Sequence, residues 1–145
     1  MLDWSIEQTE HPVAIRIPCN GVISDGRAPD TDYSDINKFK VEQKGEKIAI
    51  LALGDFYQLG EELAKEIKEK LNITPTLINP RYITGLDEEL LNKLKQNHNQ
   101  VITLEDGILE GGFGEKIASF YGNTDMKVKN YGIKKAFYDK YDVNE

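Results

Sequence analysis

With 145 residues the chain has the size of one domain and can bury a core large enough to fold without metal or disulfide staples. Its 25 acidic against 18 basic residues leave a net charge of −7, which argues against nucleic acid and anionic membrane surfaces as partners. The single cysteine, Cys19, excludes an internal disulfide, and no apolar run reaches the length of a membrane span or secretion signal, so a soluble, cytoplasmic protein is expected.

In the first ten residues Leu2 and Ile6 stand four apart with Trp4 offset, which predicts the last turns of a helix. Pro12 ends it, and the β-branched run Val13-Ala14-Ile15-Arg16-Ile17 predicts a single strand stopped by Pro18. From Cys19 to Asn37 the composition is that of a linker, rich in Gly, Pro, Ser, Asn and Asp without apolar periodicity. Its acids Asp25, Asp30, Asp32 and Asp35 lack the spacing of a calcium loop and are expected to be solvated. Phe39 to Glu42 then alternates up to the turn Lys44-Gly45-Glu46, and Ile48 to Leu53 is apolar on both faces, as a buried strand must be. This hairpin-like step predicts an antiparallel edge strand beside a central one.

Gly54 and Asp55 open a helix running to Leu71, with Leu59, Leu63, Ile67 and Leu71 expected to face the sheet and Asn72 to stop it. Thr76-Leu77-Ile78 reads as a strand and Asn79-Pro80-Arg81 as a turn. Leu86 to Leu94 is a helix with Asp87 and Glu88 in its first turn. Val101 to Leu104 is a third core strand, a helix spans about Gly112 to Tyr121, and Met126 to Tyr131 alternates as a final strand. The order after the linker, ββαβαβαβ, predicts a three-layer α/β/α sandwich on a mixed, mostly parallel five-stranded sheet with one antiparallel edge strand.

The stretch LEDGILEGGFGEK, residues 104 to 116, sets four glycines and four acids at the end of a strand. From Gly107 it reads GxxxGGxG, neither of the spacings that cradle phosphate, and Lys116 has no Ser or Thr after it. Two roles are open to it: an anion cradle at a helix N-terminus, or structural glycines at 111, 112 and 114 for a sharp turn and a close helix approach. Glu105, Asp106, Glu110 and Glu115 would repel an anion, which favours the second. Glu105 and Asp106 at a strand end are open to an acid/base or Mg²⁺ role, or to a structural cap or interface role. The latter is favoured because no His, Lys or Cys stands beside them in sequence to share chemistry. His11 precedes a proline and His98 lies in the polar run NHNQ. Both are expected to be exposed loop residues without a role, and no CxxC or HxxxH spacing points to a metal.

Three segments together resemble the C-terminal section of 1-deoxy-D-xylulose-5-phosphate synthase, a transketolase-type thiamine-diphosphate enzyme: PVAIRIP at 12 to 18, GEKIAILALG at 45 to 54, and VITLEDGILEGGFGEKI at 101 to 117. The acidic pair followed, after four intervening residues, by G-G-x-G is the most specific of these, and Asn79-Pro80-Arg81-Tyr82-Ile83 and Asn130-Tyr131-Gly132-Ile133 extend the likeness over nearly the whole chain. The resemblance implies that residues 1–20 are the end of a pyrimidine-binding domain, 21–37 a linker and 38–145 a transketolase C-terminal domain. Met1 is then an internal residue of a longer protein or the first residue of a cut one.

The resemblance also implies a homodimeric transferase that joins pyruvate to glyceraldehyde 3-phosphate with loss of CO₂. Its thiamine diphosphate and Mg²⁺ are held by upstream domains, so this chain holds no cofactor, metal or catalytic residue and supplies architecture and contacts. One residue is singled out as substrate-binding: family members usually carry Y/F-P-R-G after the first strand, the arginine contacting substrate phosphate, and Cys19 of Ile17-Pro18-Cys19-Asn20 stands in its place. Other assignments left open are a separately encoded, non-catalytic partner of a chain with the cofactor domains, and the end of a transketolase or 2-oxo acid dehydrogenase β subunit.

Overall fold

The structure, a computed structural model, describes residues 1–17, 21, 26, 28 and 30–137. Helix α1 (Leu2–Glu7) is followed by strands β1 (Lys40–Gln43) and β2 (Lys47–Ala52), a 3₁₀ turn (Gly54–Phe56) and helix α2 (Tyr57–Leu71). Strand β3 (Thr76–Asn79), helix α3 (Glu88–Leu94), strand β4 (His98–Ile108), helix α4 (Phe113–Tyr121) and strand β5 (Lys127–Ile133) complete it. The sheet order is β1-β3-β2-β4-β5, with β1 antiparallel to β3 and the other neighbours parallel. No helix among the described residues is long and apolar enough to cross a membrane.

Alternation along β2 divides the core into two layers. Ile48, Ile50 and Ala52 pack with Leu77, Ile102 and Leu104 against Ala64 and Ile67 of α2. Ala49, Leu51 and Leu53 point the other way, joining Ile78 and Val101 against Leu91 and Leu94 of α3 and Phe113, Ile117 and Tyr121 of α4. The three-layer sandwich and its mixed five-stranded sheet are therefore as the sequence predicts. Helices on opposite faces leave β2 and β4, side by side at the centre, with loops departing in opposite directions.

Several local expectations are corrected. Val13 to Ile17 forms no ladder: among the described residues it pairs with no strand of the sheet. The edge strand β1 is antiparallel, but its partner is β3 and there is no β1–β2 hairpin. A Cβ on Gly45 would overlap the Thr74 carbonyl oxygen, so this turn lies against the chain entering β3. Of the expected face of α2, Ile67 is buried and Leu63 packs against the core, but Leu59 and Leu71 are exposed, and Gly60 and Ala64 take the buried places because the helix approaches the sheet closely enough to need small residues. A Cβ at Gly60 would stand 2.6 Å from that of Ala52.

Helix α3 starts at Glu88, two residues after the expected Leu86. Asp87 is its N-cap, accepting from the Leu90 N–H at 3.1 Å while its other oxygen takes the Phe39 N–H. Strand β4 is far longer than Val101 to Leu104, reaching back to His98 and on through Glu105 and Asp106. His98 is consequently buried, whereas His11 is exposed. The His98 Nδ1–H donates to the Leu94 carbonyl at 3.1 Å, which leaves Nε2 to accept from the Thr76 hydroxyl at 2.8 Å. Thr76 in turn accepts from the Gly45 N–H at 3.0 Å, so the N-terminal ends of three strands are joined by one polar chain.

Candidate functional site

In a sheet wound on both faces, chemistry gathers at the carboxyl ends of the strands, where neighbouring loops part. Here that place lies between β2 and β4, and both features of the glycine-rich stretch are found there.

The β4–α4 connection is the first. Glu105, 4% exposed, turns its carboxylate beneath the N-terminus of α4, where Oε2 accepts from the Phe113 N–H at 2.8 Å and Oε1 from the Gly114 N–H at 3.1 Å. The cap residue Gly112 has no side chain, so a strand residue does this work from outside the helix. Glu115 reaches back to the Gly111 N–H at 2.8 Å, a variation on the reciprocal cap in which a third-position glutamate returns to the start of the helix. The Gly112 N–H closes a turn on the Leu109 carbonyl at 3.0 Å, and Gly111, third in that turn, has φ +73°.

Gly112 and Gly114 serve space, not torsion. A Cβ on Gly112 would lie 2.5 Å from the Ile108 carbonyl oxygen and 2.6 Å from Glu105 Oε2. One on Gly114 would lie 2.6 Å from the Thr103 hydroxyl, which itself donates to Asn130 Oδ1 on β5. The amides that an anion would need are thus already taken by two carboxylates of the chain. A diphosphate would have to displace both and then sit among their charges, so this turn does not fit thiamine diphosphate or any phosphate.

The second feature is a seam of about 420 Å³ over the ends of β2, β3 and β4, where the incoming chain crosses them. Asp106 Oδ2 accepts from the Asp55 N–H at 3.1 Å, and Arg16 brings its guanidinium to 2.7 Å from Oδ1. Over β3, Arg81 at φ +60° stacks on Tyr33 at 4.6 Å, donates to the Asp32 carbonyl at 2.8 Å and lies 3.7 Å from Asp30. Asp30 also pairs with Lys40 at 3.2 Å, and Asp32 accepts from the Ser34 N–H, so these two acids are engaged and not simply solvated. The hydrogen bonds from Ser34 are the main reason that the Asp32 carboxyl is held below its usual pKa. Tyr82 donates its hydroxyl to the Tyr33 carbonyl at 2.6 Å.

The structure therefore brings Glu105, Gly111, Gly112 and Gly114 together at one helix start and sends Asp106 into the seam. Cys19 lies outside the described residues. Arg16, Gly54 and Arg81 had no signal as a group, because their meeting depends on how two segments far apart in sequence cross. Among the described residues no group of three or more His, Cys, Asp or Glu side chains is arranged to hold a metal.

Comparison with known proteins places these observations. The family model described as "Transketolase, C-terminal domain" matches residues 37–145. The 1-deoxy-D-xylulose-5-phosphate synthase of Clostridium perfringens (strain 13 / Type A) is 38% identical over 141 residues, covering 97% of this chain and 22% of that protein. The enzyme of the same name from Clostridium tetani (strain Massachusetts / E88) is 34% identical over 139 residues, covering 94% of this chain and 22% of its own length. The chain thus spans about a fifth of the length of the curated relatives it matches. A solved structure described as "Split gene transketolase, inactive beta4 tetramer" superposes with a TM-score of 0.63 at 24% identity, over 75% of this chain and 38% of the other, which supports the fold.

Proposed function

This chain belongs to the transketolase C-terminal domain family, and we propose that it is the C-terminal section of a 1-deoxy-D-xylulose-5-phosphate synthase-like transferase, supplying architecture and subunit contacts. In that proposal the whole enzyme joins pyruvate and glyceraldehyde 3-phosphate to give 1-deoxy-D-xylulose 5-phosphate and CO₂ in the cytoplasm, as a homodimer. Residues 1–20 close the pyrimidine-binding domain, 21–37 link, and 38–145 form the C-terminal domain. Thiamine diphosphate and Mg²⁺ are held upstream, where the cofactor supplies the carbanion chemistry.

The observation that carries this is the β4–α4 turn. Its glycines admit the Glu105 carboxylate and the close approach of α4, and its amides are engaged internally, so Glu105, Gly111, Gly112 and Gly114 serve structure and not ligand binding. Asp106 is assigned with them to an interface between chain segments. Calorimetric titration of the chain with thiamine diphosphate in the presence of Mg²⁺ tests the proposal: no saturable heat is expected, and saturable binding at micromolar cofactor would overturn it.

Cys19 is proposed to occupy the position of the family's phosphate-contacting arginine. A thiol cannot form the guanidinium fork, and loss of a charge-assisted contact of about 1.5–3 kcal/mol corresponds to a roughly ten- to hundredfold weaker grip on substrate phosphate. Cys19→Arg in the full-length parent is expected to lower the KM for glyceraldehyde 3-phosphate, and an unchanged KM would remove Cys19 from the acceptor site.

A further inference from the structure

Asp106 presents a problem that the proposed function leaves open: its side chain is 7% exposed, at the end of a central strand, with an ionised group's need for compensation. The local backbone prepares the place. The β4–β5 register breaks between Leu104 and Ile108, and pairing with β2 ends at Leu104, so the Asp106 carbonyl is outside both ladders. Gly54, at φ +57°, passes directly over the carboxylate, and any Cβ there would overlap Asp106 Oδ2. A glycine in that conformation makes room for the acid, and the next amide, Asp55 N–H, holds one of its oxygens.

Compensation comes from 90 residues earlier. Arg16 Nη1 lies 2.7 Å from Asp106 Oδ1, and Nη2 donates to the Asp106 carbonyl at 3.1 Å. The guanidinium therefore sets one nitrogen in ion-pair contact with the Asp106 carboxylate, whose buried Oδ1 accepts no hydrogen bond, and donates from the other to the main chain of the same residue, two contacts that the single ammonium of a lysine does not supply at once. We propose that the crevice between the ends of β2 and β4, floored by Asp106 and roofed by Gly54, is a guanidinium receptor whose occupant is Arg16, making residues 12–17 a strap docked across the strand ends. Arg16 and Asp106 are then positioning residues: they fix the path of residues 12–17 over the strand ends. The strap stands on this geometry alone and does not depend on the transferase assignment.

Two measurements on the intact chain test it. Trypsin should cut Arg16–Ile17 severalfold faster in Asp106→Asn than in the parent, relative to the Arg27–Ala28 bond, with far-ultraviolet circular dichroism unchanged. An unchanged ratio would overturn the strap. In Arg16→Ala the empty receptor should accept a free guanidinium: millimolar ethylguanidinium should raise the melting temperature of Arg16→Ala, and should not do so in Arg16→Ala/Asp106→Asn. Equal responses of the two variants would show that the crevice does not recognise a guanidinium, and this arm decides the matter even where Asp106→Asn alone fails to fold. Cofactor titration is a separate readout, so failure of either idea leaves the other standing.

Discussion

Glu105 is buried, and both of its oxygens accept helix amides. Glu105→Gln keeps the shape but loses the charge and one acceptor, and should lower stability by about 1–3 kcal/mol, read from urea unfolding. The adjoining glycines differ in kind. Gly111→Ala should cost on the order of 1 kcal/mol for its positive φ, since nothing crowds it. Gly112→Ala should cost more, because a backbone oxygen and the Glu105 carboxylate stand where the methyl would go, and neither alanine's cost should change with phosphate or sulfate. That these glycines serve a turn was legible from the acids around them, but which glycine needs torsion and which needs space was not, since that is decided by Ile108, Thr103 and Glu105 only once they are folded.

His98 gives a pH dependence at the same scale. Burial pushes its imidazole pKa below the ordinary 6.5, so the unfolded chain binds the proton more readily than the folded one. The neutral ring's contribution is therefore complete above that value and is lost as pH falls from it towards the lower folded pKa. Glu89, held at about 2 by hydrogen bonds from Lys93 and Lys38, weakens only at more acid pH and leaves the interval between pH 6.5 and 5 to His98. The melting temperature should fall across that interval in the parent and fall less steeply in His98→Gln. Equal slopes would place the titration elsewhere.

At the scale of elements, periodicity located the helices and strands described after the linker but misassigned two of their partners. Four leucines and isoleucines spaced by four made an obvious stripe on α2, yet a stripe reports only that a face is apolar. The face that packs is the one permitting the closest approach, and Gly60 and Ala64 do this over Ala52 with Ile67 filling the end. Ile67→Ala should cost about 2–4 kcal/mol, whereas the half-exposed Leu59 should tolerate serine within roughly 0.5 kcal/mol, both measured by denaturant unfolding. A comparable loss at Leu59 would restore the face that the leucine spacing suggests. The β1–β2 turn misled for a similar reason. A short polar turn between two strands usually closes a hairpin, but the β2–α2–β3 crossover brings β3 to the flank of β2 and takes the place a hairpin would need.

On the scale of the whole molecule, the apolar side chains divide sharply along the chain. Both core clusters lie between Phe39 and Tyr121, α1 has no buried residue, and Leu2, Ile6, Val13 and Ile17 are exposed. The N-terminal segment is held by polar and ring contacts: Arg16 on Asp106, the Trp4 indole N–H on the Ser34 hydroxyl at 3.3 Å, and the Trp4 ring on Tyr33 at 5.9 Å. Such contacts orient a segment without supplying the burial that drives cooperative folding. A chain beginning at Asp30 should therefore still melt in one transition by scanning calorimetry, having lost no more than about 3 kcal/mol, the scale of one charge-assisted hydrogen bond. It should also associate less than the full chain in sedimentation, because the exposed Leu2, Ile6, Val13 and Ile17 side chains leave with the deleted segment. A shortened chain that melts broadly would mean that α1 and the strap belong to the folding unit. One that melts sharply and stays monomeric would mean that the apolar surface of residues 1–17 faces outward because its partner is another part of the enzyme, as the proposed place of this chain at the end of a longer transferase requires.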